Sequence, residues 1–197
     1  MPRKIKIAIL FSGNGSNMQN IIETFHQKKI AHESKEYFFE IKGCVCNQKD
    51  AFGITRAKNL GIPCLLLPHQ DFADRISFDL ALEKEIKKME VDLVVLAGFM
   101  RILSKKFCDS FKIINIHPSL LPKYKGANAI IESFESGDRE VGVSVHWVNE
   151  ELDGGAIILQ KSFLRMPEDS LEVFSQKIHA LEYEIYPEAI KKAIASL

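Results

Sequence analysis

No run of this chain approaches the roughly 18 consecutive apolar residues that would suggest a membrane span. The apolar stretch near the start, Ile7 to Phe11, follows Arg3, Lys4 and Lys6 but is too short for the core of a signal peptide. Charge of one sign is missing as well. Lys+Arg and Asp+Glu are both 26, which leaves no net field to attract a polyelectrolyte such as nucleic acid. None of the four cysteines (Cys44, Cys46, Cys64, Cys108) forms a C-x-x-C pair, so a disulfide frame or zinc site is disfavoured against reduced thiols. Repeats, low-complexity segments and linkers are absent too. What remains is the composition of an ordinary globular protein, 46% hydrophobic and 26% charged over 197 residues. That length suits one sizeable core, and the expectation is a single domain, 1–197, in a cytoplasmic protein.

Short β-rich runs alternate with amphipathic stretches. Lys4 to Phe11, Tyr37 to Cys46, Pro63 to Leu67, Val91 to Ala97 and Phe111 to His117 read as strands. Met18, Ile21, Ile22 and Phe25 mark a helix after the first strand, and Ala51 to Leu60 a second, ended by Gly61. Ser77 to Glu90 carries the stripe Phe78, Leu82, Ile86 and Met89. A helix near Ala127 to Ser136 precedes Val141 to Val148 and Ala156 to Leu164, which only Asn149 to Gly155 separates. That gap is too short for a crossover helix, so the two strands pair antiparallel. Leu171, Phe174, Ile178, Leu181 and Ile185 mark a last helix. The pattern predicts an α/β Rossmann-like fold, a mostly parallel sheet flanked by helices with an antiparallel C-terminal portion.

Five constellations carry chemistry. Gly13-Asn14-Gly15-Ser16-Asn17 lies between strand and helix, where inward N–H groups and the positive helix end suit a phosphate. Met18 breaks the dinucleotide pattern and no Walker lysine follows; a turn with a Ser or Asn helix cap is the plain alternative. Asn115 and His117 share a face at the end of a strand that Pro118 must stop. An amide there can hydrogen-bond an oxyanion while an imidazole donates or relays a proton, although a strand-end histidine alone is often structural. Leu152-Asp153-Gly154-Gly155 is a hairpin-turn signal loaded with acid by Glu150 and Glu151, and Asp153 near His117 would hold the ring and favour its charged form. Ala97-Gly98-Phe99-Met100-Arg101-Ile102-Leu103 offers apolar side chains and one arginine to a flat heteroaromatic ligand, or is an ordinary connection with core anchors. Glu182 borders the stripe of the last helix, and Arg75 stands near a helix start; both are ambiguous alone.

In this order the motifs resemble the phosphoribosylglycinamide formyltransferases, the folate-dependent glycinamide ribonucleotide transformylases of purine synthesis. The resemblance runs from Ser12 to Pro187 and is strongest at Ala97–Ser104, Asn115–Pro122 and Glu151–Gly155. It implies an N-terminal phosphate-binding half of about 1–100 and a C-terminal folate and catalytic half of about 101–197. Gly15, Ser16 and Asn17 would hold the substrate phosphate; His179, Ala180, Leu181 and Glu182 would touch the same substrate, with Glu182 as polar anchor. Arg75, Met100, Arg101, Ile102, Leu103, Asn115, Asn149, Glu150, Glu151, Leu152 and Asp153 would form the pocket for 10-formyltetrahydrofolate. Asn115, His117 and Asp153 would be catalytic, with no metal, no nucleic-acid or membrane partner, and a monomer or homodimer as the working unit. Lys125, Asn128, Ile130 and Tyr183 depart from the family pattern. A formyltetrahydrofolate hydrolase, a formyltransferase acting on another amine and a non-catalytic binding module are the alternatives. The chain's end at Leu197 speaks against methionyl-tRNA formyltransferase, and its immediate first strand against the hydrolase.

Overall fold

The computed structural model describes residues 1–197, which divide into two compact units, Met1–Ile114 and Asn115–Leu197. In the first unit β1 (Arg3–Phe11) leads into α1 (Ser16–Phe25), β2 (Lys28–His32) and β3 (Lys35–Cys46). Then come α2 (Phe52–Asn59), β4 (Cys64–Leu66), a single 3-10 turn (His69–Asp71), α3 (Arg75–Met89), β5 (Leu93–Leu96) and α4 (Lys105–Ser110). The next strand, β6 (Ile113–His117), starts in this unit and ends in the second. There α5 (Ala129–Glu135), β7 (Glu140–Trp147), β8 (Ile157–Leu164) and α6 (Leu171–Ala195) follow.

Strand order in the first unit is β2-β3-β1-β5. β1 runs parallel to both β3 and β5, pairing Ile9 with Cys44 on one side and Val95 on the other. A strand with neighbours on both sides is apolar where the sheet is covered, and Ile7 to Phe11 are all fully buried while Arg3 and Lys4 at its start are exposed. β3 is long enough to serve two partners on one edge: Lys35–Phe39 pair antiparallel with β2, and Cys44–Cys46 pair parallel with β4. Helix α1 closes this core with Met18, Ile21 and Phe25, all solvent-free. In the second unit β6 neighbours β7, and β7 pairs antiparallel with β8 from Glu140↔Leu164 to His146↔Ile157. Phe174, Ile178, Ile185, Tyr186 and Ile190 of α6 are buried, a 3.6-residue stripe.

The Rossmann-like α/β fold predicted from the sequence is present, with a mostly parallel first unit and an antiparallel C-terminal hairpin. Three elements differ from expectation. β2 is not among the expected strands because Lys28, Lys29 and His32 give its five residues no apolar alternation; it is an edge strand, where exposed lysines discourage further pairing. α4 is only six residues long, capped by Ser104, whose side chain accepts from the Phe107 N–H. Helix α3 starts at Arg75, two residues before the predicted Ser77, because Asp74 and Ser77 form a reciprocal capping box. All four cysteines are free; burial pushes the Cys64 thiol up to about 11 and the Cys44 thiol higher still.

Candidate active site

In the first unit the site residues follow the carboxyl ends of parallel strands, where open α/β sheets bind ligands. Gly15 is the N-cap of α1 with a left-handed φ of 75°, and no side chain caps that helix. The capped turn offered as the plain alternative is therefore not what forms. A Cβ on Gly15 would come within 2.6 Å of the Gly53 Cα, so loop and α2 approach as only two glycines allow. Arg56 of α2 braces the loop from outside, donating through Nε to the Asn14 carbonyl and through Nη2 to its Oδ1, both at 3.0 Å. Gly15, Ser16 and Asn17 thus sit on a fixed backbone turn at the positive end of a ten-residue helix. Arg75 is the exposed first residue of α3. Between β5 and α4, Met100 and Ile102 are exposed, Arg101 is half-buried and Leu103 is buried.

The second unit brings together Asn115, His117 and Asp153. His117 ends β6 with 4% exposure. Its Nε2 lies 2.7 Å from the Tyr124 carbonyl, which can only accept, so Nε2 carries a hydrogen. Nδ1 is then the nitrogen available for proton chemistry, and it faces Asp153 Oδ2 at 3.5 Å. The Gly126 N–H donates to that same oxygen at 2.8 Å. Asp153 sits in the loop between β7 and β8 with its side chain 7% exposed. Burial pushes its carboxyl up, but the imidazoles of His146 and His117 beside it and the Gly126 N–H outweigh this and hold it below the usual 3.8.

His146 is the member that the sequence reading missed. It is 2% exposed on β7, with Nδ1 2.8 Å from the Trp147 carbonyl, so Nδ1 carries a hydrogen. Its Nε2 lies 3.2 Å from Asn115 Nδ2 and 3.6 Å from Asp153 Oδ1. Neutral, this ring accepts from the Asn115 amide and fixes its rotation; protonated, it faces the Asp153 carboxylate. One ring therefore lies between the Asn115 amide and the Asp153 carboxylate. The only signal in the sequence is a histidine inside a mostly apolar strand, Val141 to Val148, which reads as a core residue.

The loop that carries Asp153 also carries Asn149, Glu150, Glu151 and Leu152, all exposed. Asn149 Oδ1 accepts from the Glu151 N–H at 3.0 Å, and Asp153 itself has a left-handed φ of 49°. Lys125 reaches Glu151 Oε1 at 2.8 Å. On α6, His179 and Ala180 are exposed while Leu181 and Glu182 are buried. Glu182, ambiguous in sequence, is 5% exposed, and its Oε2 lies 2.9 Å from His179 Nδ1. That hydrogen bond raises the His179 pKa above 6.5 against the opposing effect of burial.

A strand-end Asn-x-His pair beside a buried carboxylate offers hydrogen-bond donors and a proton carrier at one place, chemistry that suits acyl transfer. A family model described as formyl transferase matches residues 5–190. The chain is 44% identical to the phosphoribosylglycinamide formyltransferase of Haemophilus influenzae over 188 residues, 94% of this chain and 85% of that protein. It is 39% identical to the trifunctional purine biosynthetic protein adenosine-3 of Chironomus tentans, covering 97% of this chain and 14% of that protein. The crystal structure of phosphoribosylglycinamide formyltransferase from Campylobacter jejuni superposes with a TM-score of 0.92 at 52% identity, covering 96% of this chain and 97% of that one. The chain belongs to the formyl transferase family and, within it, to the phosphoribosylglycinamide formyltransferases. Membership implies a folate-type formyl donor and small-molecule substrates.

Proposed function

We propose that the protein transfers the formyl group of 10-formyltetrahydrofolate directly to the primary amine of glycinamide ribonucleotide, a step of purine synthesis. The observation that carries this reading is the set Asn115–His146–Asp153–His117, half-buried at Asn115 and buried at the two rings, in which Asn115 Nδ2 and His117 Nδ1 have the capacity to donate to one developing oxyanion. The neutral amine attacks the formyl carbon and a C–N bond forms. The carbonyl π electrons move onto oxygen, and the Asn115 and His117 N–H groups stabilise that charge. One well-placed donor of this kind contributes about 3 kcal/mol to the transition state. Asp153 opposes the positive charge of His117 while its Nδ1–H is donated. A proton passes from the attacking nitrogen to the folate nitrogen, the old C–N bond breaks, and tetrahydrofolate leaves.

Residues 1–197 act in this as one formyltransferase domain. Gly15, Ser16 and Asn17 take the phosphate of the acceptor, and His179 to Glu182 its remainder. Arg75, Met100 to Leu103 and Asn149 to Asp153 receive the donor. The enzyme works in the cytoplasm as a monomer or homodimer on two small molecules; no helix is long and apolar enough to cross a membrane. His117→Ala tests the roles: kcat falls at least ~100-fold while tetrahydrofolate binding stays within about threefold. Equal losses in turnover and folate binding would remove His117 from the chemistry.

A further inference from the structure

The span from Gly98 to Ser104 is held at both ends by buried side chains of other elements. At its start, the Met100 N–H donates to Ser12 Oγ at 2.8 Å. Ser12 follows β1 directly, is 8% exposed, and passes its own hydroxyl hydrogen to Asn47 Oδ1 at 2.6 Å. Asn47 follows β3 and is 1% exposed, while the Ser12 N–H donates to the Gly98 carbonyl at 3.0 Å. At the other end, the Ser104 N–H donates to Asp79 Oδ2 at 2.6 Å. Asp79 comes from α3, is 3% exposed, and its second oxygen is buried without a partner. Burying a carboxyl and leaving one oxygen unmet is costly, so such a group is retained for what its other oxygen holds. Phe99 turns inward beside Phe78, ring centroids 6.5 Å apart and 22° between planes. Met100 and Ile102 are left outside, 60% and 47% exposed, on a backbone pinned before and after them. Gly98 has a φ of 74°, and nothing lies within 4 Å of where its Cβ would be.

We infer that Ser12 and Asp79 are positioning residues for the formyl donor: together they hold Met100-Arg101-Ile102 as a rigid apolar lip with one cation for a flat heteroaromatic ring. This rests on the assignment of Met100 to Leu103 to the donor pocket. Neither side chain touches a reacting atom. Each fixes the lip in advance, so the donor does not bear the entropy of ordering it. A ligand that enters elsewhere gains nothing from the bracket, and the acceptor is such a ligand.

Steady-state kinetics of Asp79→Ala, Asp79→Asn and Ser12→Ala test this, with tetrahydrofolate titrated calorimetrically as a readout independent of turnover. In Asp79→Ala and Ser12→Ala the donor KM and the tetrahydrofolate Kd rise about tenfold, the factor that loss of one buried hydrogen bond gives. Both kcat and the acceptor KM stay within about twofold. Asp79→Asn keeps an oxygen to accept from Ser104, and its donor KM returns to within about threefold of wild type. A purely structural role would lower Tm and leave the donor KM untouched. If wild type transfers formyl and both alanine variants keep the donor KM, or if donor and acceptor KM rise together, the bracket is overturned while transfer stands. If wild type binds tetrahydrofolate without transferring formyl, and the alanine variants weaken that binding, transfer falls and the bracket stands. Should Asp79→Ala fail to fold, Ser12→Ala decides by the same criteria.

Discussion

Replacing Asp153 by Asn removes one charge from the buried set and little else. The asparagine oxygen still accepts from Gly126, whose N–H now lies 2.8 Å from Oδ2, so the loop keeps its anchor. What is lost is attraction to the imidazolium that His117 must be to donate through Nδ1 while Nε2–H is held by the Tyr124 carbonyl. At the 3.5 Å between Nδ1 and Oδ2, Coulomb's law with an effective dielectric of about 20 gives roughly 5 kcal/mol of gross attraction. Part of this is already present before reaction and cancels in the barrier. Charge-assisted hydrogen bonds in proteins retain about 1.5–3 kcal/mol net. We therefore expect kcat to fall by about 10- to 150-fold, since each 1.36 kcal/mol is a factor of ten. Stopped-flow release of tetrahydrofolate at saturating substrates reads kcat, and calorimetric titration reads folate binding, which should move less than about threefold. A kcat within fivefold of wild type would refute the electrostatic role, and so would a loss carried wholly by donor affinity.

Three further outcomes follow from the same geometry. His146→Phe fills the β7 site but withdraws the acceptor of the Asn115 amide and the second ring facing Asp153; kcat falls about tenfold with substrate KM values nearly constant, as steady-state kinetics would show. Gly53→Ala drives a methyl group into the Phe11 ring and against the Gly13 carbonyl, which costs about 1–3 kcal/mol of stability in denaturant unfolding and raises the acceptor KM by displacing the loop. The raised pKa of His179 means that its bond to Glu182 adds stability fully present below the unfolded value of 6.5 and lost as pH rises through the higher folded value. The stability difference between wild type and His179→Ala, followed by thermal melts from pH 5 to 9, shrinks across that window.

Period-two alternation put Asn115 and His117 on one face, and the structure ties both to the same carboxylate region. The acid-rich Asp-Gly turn marked Asp153, but only tertiary folding brings residue 153 to residue 117. His146 was illegible for a physical reason: inside a β-branched run a histidine has the signature of a core residue, and nothing local says which groups its nitrogens meet. Asp79 and Ser12 were hidden for the same reason, since both act on backbone N–H groups that sequence does not display. Glu182 borders an apolar stripe, and whether such a residue is covered depends on what packs over it. Edge strand β2 escaped because three of its five residues are Lys or His, the composition of a loop. Length hid α4, since six residues make fewer than two turns and give periodicity no room to register.

The central claim is transfer of formyl to an amine rather than to water. Tetrahydrofolate release by the purified protein, measured with 10-formyltetrahydrofolate in the presence and absence of glycinamide ribonucleotide, tests it most directly. Release that requires the ribonucleotide and yields its formylated product in equal amount is the expected result. Equal release without the ribonucleotide would make the protein a hydrolase and contradict the account.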